Sequence, residues 1–275
     1  MKIFYVLSGL ALLAACRKGG AASPETEALI QKAPAAVETT ASTALVSDQS
    51  FIDFVAYASD NLGAGIHLRS RLGAMAPSFF QQLQNCAGNS SCINVNVADY
   101  GLDGALLDEY IFSSMSAALL FQVARPEFER MTEVQRNALF AQAITQGLQS
   151  SDVRWQKIKQ TIDRYRPYFQ NDLYKADPGW NQIAGCVIKA VGGIFTSVLG
   201  LMDIKSYIKS GKIAKAVSTI KDFLKTGLGR TLSWVGLALT AWEIADCIYD
   251  LYYPDPGTVW LVRPGLQPVD FRMAV

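Results

Sequence analysis

A single imidazole, His67, stands in a chain of 275 residues, which excludes any site built on two or more histidines. A hydrolytic triad could draw on His67 together with a hydroxyl such as Ser70 and an acid such as Asp60. No Gly-x-Ser-x-Gly elbow accompanies them, so His67 is expected to be a surface or hydrogen-bonded structural residue. Asn94, Asn96, Asp99 and Asp103 carry the hard oxygen ligands that calcium takes, in what reads as a polar loop. Their spacing is not that of an EF-hand and the glycine is misplaced, which favours turn-forming and capping roles. Asp108 and Glu109 are adjacent, and on a helix they point about 100° apart rather than at one substrate. The sequence has neither a phosphate-binding loop nor a dinucleotide fingerprint. It therefore predicts no catalytic group, no metal site and no cofactor.

A different kind of chemistry lies between positions 205 and 225. Lys205, Lys209, Lys212, Lys215, Lys221 and Lys225 stand there against one acid, Asp222. Ile213, Val217, Ile220 and Leu224 recur among them at helical spacing. Such a helix can lie on anionic lipid, which makes the lysines candidate lipid-facing residues; the reading favoured here is a solvated face packed on a bundle. The apolar helices on either side contain uncharged runs of 13 and 12 residues, Ala190–Met202 and Thr231–Trp242. Each run covers roughly 20 Å, short of the ~30 Å hydrocarbon layer, so both are read as buried core helices. Gly192, Gly193, Gly200 and Gly236 would let neighbouring helices approach closely. The combination is similar in composition to membrane-active bacterial peptides and bacteriocin-like hairpins. The late aromatic residues Trp234, Trp242, Tyr249, Tyr252, Tyr253 and Trp260 suit wet–dry boundaries or, more often, a core.

The first residues set the address. Lys2 is followed by an apolar run from Ile3 to Ala15, interrupted only by Ser8 and Gly9. That is the n-region and h-region of a secretory signal, too short to span a bilayer. The run ends Leu13-Ala14-Ala15-Cys16, which resembles the lipobox of bacterial lipoproteins. The resemblance covers the leader alone. It implies cleavage before Cys16, a thioether-linked diacylglyceryl group on Cys16, and usually an acyl chain on its amine. One chain anchors only marginally, whereas two or three hold durably. In that family Asp directly after the cysteine tends to retain the protein in the inner membrane. Arg17 stands there instead, so a Gram-negative host would place the protein in the outer membrane facing the periplasm. Membrane lipid is then the first partner, through acylated Cys16.

With Cys16 assigned to lipid, Cys86, Cys92, Cys186 and Cys247 remain, enough for two bridges in an oxidising compartment. Cys86 and Cys92 flank a short flexible turn, so local closure is the easy pairing. Cys186 is then left with Cys247. Neither pair has the usual short zinc spacing. A bridge needs Cα atoms within about 7 Å, so the segment between Cys186 and Cys247 must return its end to its start. An even number of antiparallel helices does this, with a break expected at Ser210-Gly211. The predicted helices are 181–200, 203–210, 212–226 and 229–252.

The rest of the chain must position these groups. Half of it is hydrophobic and 18% is charged, with Lys+Arg at 25 against Asp+Glu at 24. Disorder throughout is excluded by that apolar content, and a nucleic-acid partner is disfavoured by the lack of surplus positive charge. Removing residues 1–15 takes away Lys2 alone and leaves a formally neutral mature chain. Residues 16–49 lack aromatics and read as a lipidated flexible tether, with a reach of roughly 30 Å. From Phe51 on, the period is helical. Phe51, Phe54, Val55 and Ala58 mark one helix and Pro77 to Leu83 another. Asp103 is a plausible N-cap for Gly104 to Ala124. Thr132-x-x-Gln135 is a capping box for a helix ending near Gly147, and Ser151 would cap the next. Asp177-Pro178-Gly179 is a turn signal.

The fold class read from this is all-α, a helical bundle stapled by disulfides with an irregular C-terminal tail. Its expected parts are a signal peptide 1–15, the tether 16–49, a helical domain 50–176, a disulfide-closed helical bundle 177–253, and an extended tail 254–275. The expected function is a membrane-anchored lipoprotein with a non-enzymatic interaction or structural role and an envelope partner of unspecified nature. The alternatives are a membrane-active helical protein and an enzyme of unfamiliar type.

Overall fold

The computed structural model describes residues 42–86, 89–169, 179–226 and 233–252, with the Trp234 side chain excepted. The leader, Cys16, the tether up to residue 41, Asp177-Pro178, Tyr253, Trp260 and the tail 254–275 lie outside the described residues. All regular structure among the described residues is helical, with no strand.

Local hydrogen bonding sets most helix starts. Helix α1 (Gln49–Asp60) opens on Asp48, whose carboxylate accepts from the amides of Ser50 and Phe51. Helices α2 (Leu62–Leu72), α3 (Ala76–Asn85) and α4 (Ser90–Asp99) follow. Helix α5 (Gly104–Ala124) starts on Asp103, which accepts from Ala105 and Leu106 at 3.0 Å each. Helix α6 (Glu133–Gln149) carries the expected capping box of Thr132 and Gln135. Helix α7 (Val153–Tyr165) is capped by Asp152 rather than Ser151: the Asp152 carboxylate takes both the amide and the guanidinium of Arg154. After Gly179 come α8 (Trp180–Ser197), α9 (Met202–Lys209) and α10 (Ile213–Lys225). A π-helical turn, Trp234–Ala238, leads into α11 (Leu239–Tyr252).

One boundary differs from the sequence reading. The tether does not reach residue 49, because residues 42–47 are already helical with Leu45 fully buried. The Trp155 indole N–H donates to the Val46 carbonyl at 2.8 Å and pins this segment to α7. Helix α6 ends at Gln149, near the expected position. Gly147 lies inside its last turn, where an added Cβ would come within 2.2 Å of the Trp155 ring. Glycine is there to seat the indole.

The core is centred on α8, which packs against α1, α5, α6 and α11. Phe121 of α5 lies within 6.0 Å, ring to ring, of Phe51, Phe54, Phe128, Phe140 and Phe195, drawn from α1, the short turn Glu127–Arg130, α6 and α8. All of these rings are essentially inaccessible. The division at residue 177 therefore separates no two bodies. Helix α6 packs on α8 and α2 on α11, so both halves share one core within a single compact unit.

Both expected disulfides are formed, Cys86–Cys92 with Cα atoms 5.5 Å apart and Cys186–Cys247 with 5.6 Å. Helices α8 and α11 run antiparallel: Cys186 meets Cys247, Gly193 faces Thr240, and Gly236 faces Ser197. The first three helices of this part appear near their expected bounds and the fourth ends at Tyr252 as expected, its expected start at 229 lying outside the described residues; they do not form an up–down bundle. Helix α9 leaves α8 at a bend of 95°, and the α9–α10 pair lies across α5. The chain thus returns to the bridge by a detour over another helix. Gly192, Gly193 and Gly236 do meet neighbouring side chains closely, whereas Gly200 has open space and serves the turn after α8 through its positive φ of 88°.

Candidate functional site

His67 lies half-buried on α2, and its Nε2 accepts the Asp103 amide N–H at 3.0 Å. The neutral ring therefore carries its proton on Nδ1. Burial lowers the imidazole below its ordinary value, the Arg71 charge lowers it further, and Asp103 opposes both. The Ser70 hydroxyl donates to the main-chain oxygen of His67 at 2.8 Å. Asp60 is pushed upward by burial, against a Thr161 hydrogen bond and the Arg164 charge. His67, Ser70 and Asp60 thus do not assemble a relay. The imidazole ties α2 to the start of α5.

The supposed polar loop is a helix. Asn94, Asn96 and Asp99 lie on α4, and only Asp103 stands outside it, as the cap of α5. Asn96 donates its amide to the Cys92 carbonyl at 2.9 Å and faces the Cys86–Cys92 sulfurs. No cluster of three or more His, Cys, Asp or Glu side chains suited to a metal occurs among the described residues.

Two buried cations were not legible as such in the sequence. Arg69 on α2 pairs with Asp246 of α11 at 3.0 Å and lies 3.5 Å over the Tyr249 ring. Burial pushes Asp246 upward and the Arg69 charge pulls it back. Arg136 on α6 lies over the Phe195 ring at 4.6 Å, and its Nη2 donates to the Thr196 hydroxyl at 3.4 Å. Both hold helices together across the core. Only an arginine recurring on an apolar helix face could have signalled them.

The basic segment divides into three parts. Lys205 does not face lipid: it is 4% exposed, and its Nζ pairs with Glu129 at 2.9 Å. Lys221 and Lys225 form one wall of an open cleft of about 510 Å³ between α5 and α10. Asp108 and Glu109 form the opposite wall, with Phe112 and Leu224 between. Lys221 rests over the Phe112 ring at 5.6 Å, and Lys225 pairs loosely with Asp222 at 3.4 Å. Here positive and negative charge balance.

Lys209, Lys212 and Lys215 surround the α9–α10 turn and are exposed. No acid occurs between Asp203 and Asp222 in the chain. The turn is sharp because Gly211 takes a φ of 71°; its amide bonds Ile208 O at 3.0 Å, and the Lys212 amide bonds Tyr207 O at 2.9 Å. That double bond pattern closes a helix C-terminus and reverses the chain. Lys215 packs over the Tyr207 ring at 4.6 Å, and Ile213 stands 48% exposed among the lysines. The stripe on α10 is only partly used, with Ala216 and Ile220 buried and Val217 and Leu224 half-buried.

No single described helix is long and apolar enough to cross a membrane; Trp180–Ser197 and Met202–Lys209 reach that measure only as a pair bent by 95°. Helix α8 buries its apolar residues inside the protein. No protein-family model matches the chain, and no curated protein or solved structure matches it at a significant level.

Proposed function

We propose that this protein is a lipid-tethered envelope protein with a non-enzymatic interaction or structural role, on the periplasmic face of the outer membrane in a Gram-negative host. The carrying observation is the sequence Leu13-Ala14-Ala15-Cys16 closing an apolar leader. Two further features support it. The four remaining cysteines are consumed in two bridges, as suits an oxidising compartment. The one histidine accepts a hydrogen bond from a helix-capping residue rather than facing a nucleophile. In this reading residues 1–15 are removed and acyl chains on Cys16 hold the chain to lipid. The segment up to about residue 41 then spaces the helical body from the bilayer.

The test is intact-mass and N-terminal peptide analysis of the full-length chain expressed with its own leader in a Gram-negative host. A mature terminus at acylated Cys16, extracted only by detergent, is the expected result, and Cys16→Ser should abolish the acyl mass. An uncut leader, or an unmodified terminus that washes free without detergent, overturns the reading.

A further inference from the structure

We propose that the α9–α10 corner, Lys209, Lys212 and Lys215 around Ile213, is a docking surface for an anionic phospholipid membrane. The mature chain carries no net formal charge, so its solution behaviour gives no general attraction to anions. The corner departs from that balance locally. Its lysines have no carboxylate partner among the described residues, whereas Lys205 is paired with Glu129 and Lys221 and Lys225 face Asp108 and Glu109.

The geometry suits a surface rather than a pocket. Gly211 folds the chain back on itself, so the ends of two helices project together. Ammonium groups at such a corner reach phosphate headgroups while the body stays in water. Ile213 adds an exposed branched apolar side chain at the same place, the size of insertion that a headgroup layer accepts. The packing of Lys215 on Tyr207 holds one ammonium in position. The tethered reading brings a bilayer within reach, and on that point the proposal rests on it. The chemistry of the corner does not depend on the anchor.

The experiment uses the chain from residue 16 onward with Cys16→Ser, so that no acyl group contributes. Sedimentation is measured with vesicles of phosphatidylcholine mixed with phosphatidylglycerol, and with phosphatidylcholine alone. Binding to the mixed vesicles is expected, weakening as salt rises. At about fivefold per lysine near an anionic surface, the triple variant Lys209→Gln, Lys212→Gln, Lys215→Gln should bind roughly 100-fold more weakly. Ile213→Ser should weaken binding at every salt concentration. The pair Lys221→Gln, Lys225→Gln, which removes two charges from the same helix away from the corner, should weaken binding far less than the roughly 25-fold that two corner lysines would cost, with unchanged circular dichroism. Equal binding by the triple variant and the parent overturns the proposal. So does an absence of binding to the mixed vesicles, with or without retention on an anionic polysaccharide. Because the acyl group is absent throughout, failure here leaves the Cys16 reading standing, and failure of acylation in the host leaves this binding measurable.

Discussion

The two disulfides should contribute very unequally to stability. Cys186–Cys247 joins residues 61 apart, and Cys86–Cys92 joins residues six apart. Cross-linking restricts the unfolded chain by an entropy that grows with the logarithm of loop length. On that account the large loop is worth about 4.3 kcal/mol at 25 °C and the small ring about 2.2 kcal/mol. Cys186 and Cys86 are both buried, so replacing each pair by alanine leaves a small void in either case and the difference survives. The perturbation is the double variant Cys186→Ala, Cys247→Ala, compared with Cys86→Ala, Cys92→Ala. Urea unfolding followed by circular dichroism gives the midpoint and slope of each. The first pair should lose about 2 kcal/mol more than the second, and reduction of the parent should lose at least as much as the first. A small-ring variant as destabilised as the large-loop variant would refute the reasoning, as would a large-loop variant indistinguishable from the parent. In that event the packing of α8 on α11 would hold those helices without the bond.

Two other outcomes follow from named contacts. Because His67 is the only histidine, its ring proton gives one isolated NMR titration, and the midpoint should fall below 6.5. The folded ring binds a proton less readily than the unfolded one, so its contribution to stability is complete above the unfolded value and is lost as pH falls through the folded one; a midpoint at or above 6.5 would contradict the acceptor role toward Asp103. At Gly65 an added Cβ would sit 1.9 Å from the Ala241 carbonyl oxygen, a backbone atom that cannot yield without parting α2 from α11. Gly65→Ala should therefore destabilise by about 1–3 kcal/mol despite its better helix propensity. Gly185→Ala, on α8 with open space around it, should be neutral or stabilising by up to ~1 kcal/mol, and equal midpoints for the two variants would exclude the close approach.

Features set within a few residues were legible before the fold was known. Asp103 and the Thr132–Gln135 pair declare their helix starts, since a side-chain acceptor three residues before an amide needs no distant partner. Gly211 declares the reversal after α9 for the same reason. Cysteine count and loop flexibility were enough to pair the bridges. By contrast, Asn94, Asn96 and Asp99 read as a polar loop in the sequence yet lie on α4: the weak helix propensity of this run is overridden by its Asn89 cap, the disulfide and contact with α3 and α5. Helix α2 is equally hidden in the sequence, since Gly65 within it is explained only by its close approach to the Ala241 backbone of α11.

Charge followed the same division. Composition and order alone pointed to an all-helical, disulfide-linked chain with a run of lysines between positions 205 and 225. Only the tertiary structure decided which of those lysines meet solvent, because burial of Lys205 against Glu129 and the facing of Lys221 toward Asp108 depend on partners 76 or more residues away in sequence. A periodic pattern reports which face of a helix is apolar. It carries no record of the neighbour that will lie against it, and that neighbour determines whether a charge is neutralised in the protein or left free for something outside it.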